Sequence, residues 1–159
     1  MSLSERIQRN VDATAWPGEI PMNYIYTAGR AQDAFFKALR DEGKFTGTRC
    51  ENCDIVLCPP QMFCERCFSN IEKATVDLPN RGYVYTFTVS HETYDEQAKD
   101  EPSLVAMIQI EGTDGALYHR LGEVDPADVM IGMPVEAVFK PKNERAGSIL
   151  DIKYFKPAG

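Results

Sequence analysis

Four cysteines in two C-x-x-C pairs are the strongest constraint on how this chain can fold. Cys50 and Cys53 form the first pair, and Cys64 and Cys67 form the second after ten intervening residues. Each two-residue spacer lets both thiolates of a pair reach one ion from the same side, and two such pairs complete a tetrahedral site. Sulfur ligands favour zinc, with rubredoxin-like iron as the main competitor. Because the segment contains no histidine and no fifth ligand is needed, the pattern predicts a closed, structural metal site. The alternatives are two disulfides or four reduced core thiols.

The fifth cysteine and the rest of the composition indicate a reducing compartment. An odd number of cysteines, four of them in metal spacing, fits such a compartment better than a disulfide scaffold. Because a filled tetrahedral site has no place for another ligand, Cys58 is predicted to be a small packed side chain. The first six residues lack the apolar stretch of a signal peptide, and no apolar run approaches the ~20 residues of a membrane span. We therefore expect a cytoplasmic protein with no membrane contact.

The first 28 residues are predicted to form an arm. Prolines interrupt any helix there, yet the segment carries large apolar side chains at Trp16, Tyr24, Ile25 and Tyr26. Such a segment is either a disordered leader or an arm that buries these side chains on a partner. We favour the arm, because four large apolar groups are costly to leave in water. A helical apolar pattern follows from residue 31 to residue 42, within a segment at residues 29–45, and Gly43 is a natural stop.

The remaining chain is predicted to be β, with a ribbon at residues 46–76 and a barrel at residues 77–159. Residues 55–57 are expected to be the central strand of the ribbon. In the first barrel strand, alternation places four side chains on one face, predicted to be the barrel core: Tyr83, Tyr85, Phe87 and Val89. Four more strands are predicted at residues 104–110, 116–121, 134–139 and 148–155. Five short strands separated by turns favour a small closed barrel of the OB type.

Charge argues against general affinity for nucleic acid. The net charge is −7 and the pI is near 4.9, whereas phosphate contacts need clustered lysine and arginine. Base stacking would also need exposed aromatic side chains in a basic groove, and the aromatic face of the first barrel strand is predicted to be core. The acidic run at residues 91–101 is interpreted as a solvated loop. The basic run at residues 140–156 is either a contact for a phosphorylated ligand or the exposed face of a strand pair.

The two histidines do not suggest a catalytic group. His119 shares a strand face with Leu117 and Leu121, which favours a packed barrel residue over a base. His91 has Glu92 beside it, but adjacent strand residues point to opposite faces. A nucleophile, a base and an orienting group would all be needed. Catalysis by this chain alone is the weakest of the hypotheses. Whether the chain is a subunit of an enzyme complex is a separate hypothesis.

Three stretches of the chain together resemble one known family. Residues 34–50 are similar to a helix that runs into a first metal ligand. Residues 59–68, with the sequence PPQMFCERCF, are similar to a P-P-R-x-x-C-x-x-C core in which Gln61 replaces the usual arginine. Residues 82–89 and 131–135 resemble the first and a late strand of an OB fold. This combination, covering roughly residues 24–156, resembles the DUF35 family of rubredoxin-like zinc ribbons with an acyl-CoA-associated OB fold.

The resemblance implies a fold and a function. The fold is mainly β with an N-terminal helix, in which a zinc ribbon is followed by a five-stranded OB-fold barrel. The function is a non-catalytic, zinc-binding accessory subunit of a thiolase-type acyl-CoA acyltransferase complex. Such a subunit would stabilise a thiolase-superfamily large subunit and help to bind or enclose acyl-CoA at or near the interface. We expect Lys140, Lys142 or Arg145 to contact phosphate at the CoA entrance. A nucleic-acid-binding zinc-ribbon and OB-fold protein is the alternative.

Overall fold

The computed structural model describes residue 18, residues 23–92 and residues 98–159, apart from the side chains of residues 98–100. Helix α1 spans Gly29–Asp41 and buries a stripe made of Ala31, Phe35, Ala38 and Leu39. The helix stops at Gly43 as predicted, because this residue takes a left-handed φ of +65°. The Gly43 N–H donates to the carbonyl oxygens of Ala38 and Leu39 at 3.0 and 3.2 Å. Across the described residues, no helix is long and apolar enough to cross a lipid bilayer.

Part of the predicted arm, including Trp16, lies outside the described residues. Tyr24, Ile25 and Tyr26 precede α1 and expose 61%, 100% and 83% of their surface. The rings of Tyr24 and Tyr26 stack with their centroids 6.0 Å apart. These side chains are therefore open to solvent in the isolated chain, and their contact with a partner stays a prediction.

Three antiparallel strands form the first sheet: β1 Phe45–Cys50, β2 Ile55–Leu57 and β3 Thr75–Leu78, in the order β2-β1-β3. The prediction that residues 55–57 form the central strand is wrong. Strand β1 is longer and pairs on both sides, so that Thr48 lies opposite both Leu57 and Thr75. The outer edge of β2 is covered by Asp114. The Asp114 N–H donates to the carbonyl oxygen of Val56 at 2.8 Å, and its carboxylate accepts from the Val56 N–H at 2.9 Å.

Five antiparallel strands form the second sheet: β4 Arg81–Glu92, β5 Ala98–Ile110, β6 Leu117–Arg120, β7 Pro134–Phe139 and β8 Ile152–Pro157. Their order is β6-β5-β4-β7-β8. The two outer strands meet where Leu121 forms a parallel bridge to Phe155. The N–H of Gly122 donates to the Phe155 carbonyl oxygen at 2.8 Å at the same point. These contacts close the sheet into the five-stranded barrel that the sequence predicts.

The first half of β4 faces the opposite way from the prediction. Val84 is buried, whereas Tyr83 and Tyr85 expose 45% and 64% of their surface. Only Phe87 and Val89, later in the strand, pack against the core. The prediction that all four alternating side chains share the core face is therefore wrong for both tyrosines.

A β-bulge explains the reversal. Val84 pairs with Ile108 on β5, but the next pair joins Thr86 to Met107, so Tyr85 is an extra residue without a partner on β5. Because side chains alternate with a period of two, one inserted residue exchanges the two faces beyond it. Even-numbered residues face inward before the bulge, and odd-numbered residues face inward after it.

The predicted last strand begins later than expected. Residues Ile149–Asp151 form a 3₁₀ turn, and β8 starts only at Ile152. Ser148 caps this turn, because its hydroxyl oxygen accepts from the Leu150 N–H at 3.2 Å. A serine that bonds the backbone two residues on favours a turn over an extended strand. The apolar alternation at residues 149–155 therefore belongs to two different elements.

The carboxylate of Asp151 holds the loop that precedes β8. The side chain is 1% exposed and accepts from the N–H groups of Ala146, Gly147 and Ser148 at 2.9, 2.8 and 3.2 Å. Burial by itself would raise the pKa of Asp151, but these backbone hydrogen bonds outweigh burial and the pKa is lowered. The charged carboxylate thus fixes the backbone beside the start of β8.

Phe45 joins the ribbon sheet to the barrel. Its side chain is fully buried, and its ring centroid lies 6.3 Å from Phe35 of α1, 5.6 Å from Phe139 of β7 and 6.0 Å from Phe155 of β8. These rings belong to one core that also contains Cys58. A second, smaller core lies inside the ribbon, around Cys50 and Cys64 with Ile55, Leu57 and Ile71.

Candidate metal centre and barrel groove

The four predicted ligands meet at the end of the ribbon. The sulfur atoms of Cys50, Cys53, Cys64 and Cys67 all lie within 4.8 Å of one another. The Sγ atoms of Cys50 and Cys67 are 3.5 Å apart, far longer than the roughly 2 Å of a disulfide, and all four cysteines are free. Zinc–sulfur bonds of about 2.3 Å would place tetrahedral ligands about 3.8 Å apart, so the cluster has the size that zinc requires.

The backbone of both pairs turns in the same way. The residue after the second cysteine has a left-handed conformation in each pair, with φ of +51° at Asp54 and +59° at Phe68. This reversal in the second pair is supported by the Phe68 N–H, which donates to the Cys64 carbonyl oxygen at 2.9 Å. The Arg66 N–H also donates to the Cys64 sulfur at 3.4 Å. Both cysteines of a pair are therefore presented from one side, as the C-x-x-C spacing predicts.

Ser69 lowers the pKa of two ligands. Its hydroxyl oxygen lies 3.0 Å from the sulfur of Cys67 and 3.5 Å from that of Cys50. Hydrogen bonding from Ser69 lowers the pKa of Cys67 to about 6 and also lowers the pKa of Cys50. By contrast, the neighbouring thiols, Cys67 first, raise the pKa of Cys53 to about 12. Sequence reasoning missed Ser69, although a hydroxyl residue two positions after a ligand is a visible signal.

These observations fit a structural zinc ion. Four soft sulfur donors, two of them shifted toward the thiolate form, are the donor set that zinc prefers. When bound, the ion would be held by Cys50, Cys53, Cys64 and Cys67, and it would supply folding stability to a ribbon with a small core. Four protein ligands leave no open position for a substrate.

Cys58 takes no part in the cluster. It is 4% exposed and packs in the core shared by α1, β1 and the barrel. Burial raises the pKa of the Cys58 thiol to about 12, so it stays protonated and unreactive at neutral pH. The interpretation of Cys58 as a packed side chain is confirmed.

A groove of about 630 Å³ opens on the barrel, between β6 and the start of β8. We call it the barrel groove, and its lining consists of Tyr118, His119, Arg120, Lys140, Ile149, Leu150, Ile152, Lys153 and Tyr154. Three of these side chains are cationic and none is acidic. The floor is mainly apolar. The groove therefore combines positive charge with apolar surface in a chain whose net charge is −7.

One of the three cations predicted to contact CoA lines the barrel groove. Lys140 lines the barrel groove, and Lys142 lies exposed on the 3₁₀ turn that follows. The guanidinium of Arg145 is engaged by the protein itself. Its Nε donates to the Lys140 carbonyl oxygen at 2.7 Å, and its central carbon lies 5.5 Å from the Phe139 ring centroid. Arg120 and Lys153 line the groove with Lys140. Lys153 belongs to the basic run at residues 140–156, whereas sequence reasoning missed Arg120 because it lies on a separate strand.

His119 is a packed residue of the barrel wall. It is 9% exposed, and its ring meets the Phe155 ring edge-on at 5.8 Å. The buried Nδ1 atom has no hydrogen-bond partner among the described residues. Burial is the main cause that lowers the pKa of His119, so the neutral form prevails at pH 7. Without an orienting carboxylate, this histidine does not form a catalytic pair within the described chain.

Comparison with known proteins identifies the family. Residues 38–72 match the family described as "ChsH2, rubredoxin-like zinc ribbon domain", and residues 75–140 match "ChsH2, C-terminal OB-fold domain". A DUF35 domain-containing scaffold protein of Methanocaldococcus jannaschii is 35% identical over 114 residues, which cover 70% of this chain and 79% of that protein. The chain belongs to the DUF35 family. The predicted family, the fold class and the zinc cofactor are thereby confirmed.

Two solved structures share the DUF35 architecture. A DUF35 protein of unknown function from Sulfolobus solfataricus superposes with a TM-score of 0.63 at 20% identity, over 82% of this chain and 87% of that one. The likeness at this identity shows the fold alone. A chain of the Ltp2-ChsH2(DUF35) aldolase superposes with a TM-score of 0.60 at 26% identity, over 85% of this chain and all of that one.

Proposed function

We propose that this DUF35 chain is a zinc-binding accessory subunit that docks on a larger, thiolase-type enzyme subunit and helps to bind or enclose acyl-CoA near the interface. The observation that supports the proposal is the similarity to a chain of the Ltp2-ChsH2(DUF35) aldolase, which is matched along its whole length. The name of the archaeal relative, a scaffold protein, supports the same role.

The chemistry of the described residues favours an accessory role over independent catalysis. The four clustered cysteines fill a closed metal shell. Cys58 is a buried thiol with a raised pKa, and His119 has Phe155 rather than a carboxylate against its ring. A nucleophile beside an oriented base does not occur among these groups. We infer that the reacting groups belong to the large subunit.

The barrel groove is the proposed contact for acyl-CoA. The phosphates of CoA would meet Lys140 together with Arg120 and Lys153, and the apolar floor would meet the less polar part of the ligand. Lys142, exposed on the neighbouring turn, is a further cation that we propose for the same ligand. Arg145 acts indirectly, because it fixes the Lys140 backbone and packs on Phe139.

The arm is the proposed anchor at the other end of the chain. Tyr24, Ile25 and Tyr26 are exposed in the isolated chain, and aromatic side chains of this kind concentrate binding energy when an interface buries them. Deletion of residues 1–28 should therefore weaken complex formation, as measured by size-exclusion chromatography of the mixed subunits. An unchanged elution profile of the mixture would contradict the arm's role.

The test of the proposed function starts with affinity capture from the native host and identification of the large subunit. That subunit is then purified, and its activity is assayed in complex with the Lys140→Ala/Lys153→Ala double variant of this chain. We expect the complex to persist and the KM for acyl-CoA to rise about tenfold, since charge-assisted contacts are lost. Lys73→Ala is the matched control, because it removes an exposed ribbon cation outside the groove. Capture of no acyl-CoA enzyme, or an equal KM in both variants, would contradict the proposal.

One observation favours the alternative function. Tyr83, Tyr85 and Tyr118 are exposed on the barrel, so the aromatic side chains that stacking with single-stranded nucleic acid needs are available after all. The net charge of −7 still opposes phosphate binding. We expect no micromolar binding of fluorescent single-stranded DNA or RNA in a polarisation assay at physiological salt. Tight binding that weakens steeply with salt would favour the alternative.

A further inference from the structure

Six side chains form an apolar surface on the outside of the barrel. We call this surface the barrel belt, and it consists of Tyr83, Tyr85, Met107, Tyr118, Met130 and Ile131. Tyr118, Met130 and Ile131 expose 62%, 64% and 69% of their surface, beside the two exposed tyrosines of β4. Exposed apolar side chains scattered singly need no explanation, but a group of this size does.

The strand register places the belt residues of β5 and β6 beside β4. Tyr118 of β6 lies directly opposite Met107 of β5, and Met107 lies opposite Thr86 of β4, so these side chains share the outer face. Tyr85 immediately precedes Thr86. A shallow groove of about 170 Å³ lies across these strands, and Thr86, Met107 and Tyr118 are among the residues that line it. The belt thus crosses three neighbouring strands.

The turn before β7 extends the belt on the other side of β4. The Gly132 N–H donates to the Val84 carbonyl oxygen at 2.7 Å, and the Val84 N–H donates to the Met133 carbonyl oxygen at 3.0 Å. These bonds fasten the turn that carries Met130 and Ile131 to the strand that carries Tyr85. The belt is therefore held by backbone hydrogen bonds and by the sheet ladder, and a partner would meet a preformed surface.

The bulge limits the belt on β4 to Tyr83 and Tyr85. These two side chains face outward, whereas the exchange of faces beyond the bulge turns Phe87 and Val89 toward the core. Bulges next to functional surfaces re-aim side chains in this way. The five most exposed belt side chains expose between 45% and 69% of their surface. Apolar side chains grouped in this way are typical of interaction sites.

We propose that the barrel belt is the docking surface for the large enzyme subunit. The inference rests on the proposed function and adds the surface through which the subunits meet. A second copy of this chain is a poor occupant, because each copy carries a net charge of −7. The same charge opposes nucleic acid, so an enzyme subunit with a matching apolar surface is the occupant that remains.

The position of the belt connects docking to the ligand. Tyr118 lines both the shallow groove of the belt and the larger barrel groove with its three cations. A subunit that covers Tyr118 therefore also covers one edge of the barrel groove. Docking on the belt would enclose a ligand held by Arg120, Lys140 and Lys153 between the two proteins.

The test measures the affinity of the purified large subunit for Tyr85→Ala/Tyr118→Ala by calorimetry. Both side chains are exposed, so circular dichroism and zinc content should match the wild type. We expect Kd to rise at least about 30-fold, the effect of losing two aromatic anchors. Phe68→Ala is the matched control, because it removes a 78% exposed aromatic ring of the ribbon outside the belt. We expect the control to change Kd by less than about threefold.

Several results would overturn the inference. Equal Kd values for the double variant and the wild type, or an equal loss in the control, would show that the belt is not the anchor. A photo-crosslinking amino acid placed at position 85 should form a crosslink to the large subunit. Crosslinks that form only when this amino acid replaces Lys73 would also refute docking on the belt. Sedimentation should show a monomer in isolation. If the wild-type chain forms a dimer and the double variant does not, the belt binds a second copy of this chain. If the wild-type chain binds an oligonucleotide and the double variant does not, the belt binds nucleic acid. If the wild-type chain binds no large subunit, the proposed function itself fails.

Discussion

Replacement of Phe45 by alanine should destabilise the ribbon and the barrel together. Phe45 lies on β1 of the ribbon, yet its ring packs against α1, β7 and β8 at centroid distances of 6.3, 5.6 and 6.0 Å. The side chain is fully buried in the core that these elements share. Loss of the ring therefore removes apolar contact from both sheets and leaves a cavity between them.

The size of the effect follows from this burial. Phenylalanine-to-alanine changes in a core cost about 3–5 kcal/mol, and three neighbouring rings place Phe45 in the upper part of that range. A loss of about 4 kcal/mol is a large fraction of the roughly 5–15 kcal/mol that stabilises a typical domain. With a urea dependence of about 2 kcal/mol per molar, the midpoint of unfolding should fall by about 2 M.

Urea unfolding of the zinc-loaded protein measures this directly. Near-ultraviolet circular dichroism would follow the barrel core, and a chromogenic chelator would follow zinc release from the ribbon. Both midpoints should fall together in Phe45→Ala. Phe68→Ala, which removes a largely exposed ring, should stay within about 0.5 kcal/mol of the wild type. A barrel midpoint that does not move while zinc release does would refute the single shared core.

Two further predictions concern the metal and the Asp151 loop. Cys50→Ser should lose zinc by elemental analysis and Cys58→Ser should keep it, because only Cys50 belongs to the sulfur cluster; equal loss would contradict the ligand assignment. Asp151→Asn should cost about 2 kcal/mol at pH 7, since three backbone N–H groups bond the charged carboxylate. The folded pKa of Asp151 is lowered, so its contribution is present above the unfolded value near 4 and is lost as pH falls through the folded value. Urea midpoints should therefore converge for the two proteins in acid, and a constant difference from pH 7 to pH 3 would be inconsistent with this origin.

The parts of the structure that depend on local spacing could be predicted from the sequence. The C-x-x-C pairs predicted the sulfur cluster, because two-residue spacers bring both thiols of a pair to one side. Gly43 predicted the end of α1 through its freedom to take positive φ. The five barrel strands could be counted from the apolar runs and the turns between them.

The features that depend on pairing between strands could not be predicted. The bulge at Tyr85 exists only in the register of β4 against β5, so the regular alternation of the sequence indicated the wrong face for Tyr83 and Tyr85. The central position of β1 likewise depends on β3, which lies far from it in the chain. The barrel groove brings Arg120 of β6 beside Lys140 and Lys153 of the basic run at residues 140–156, and no local pattern joins Arg120 to that run.

The accessory role is tested most directly by turnover of the captured large subunit with and without this chain. Acyl-CoA consumption and the oligomeric state of the large subunit would be measured alone, with the wild-type chain, and with Tyr85→Ala/Tyr118→Ala. We predict that the large subunit alone is poorly active or aggregates, and that the wild-type chain restores activity at a fixed stoichiometry. A large subunit that assembles and turns over at the same rate in the complete absence of this chain would contradict the accessory role.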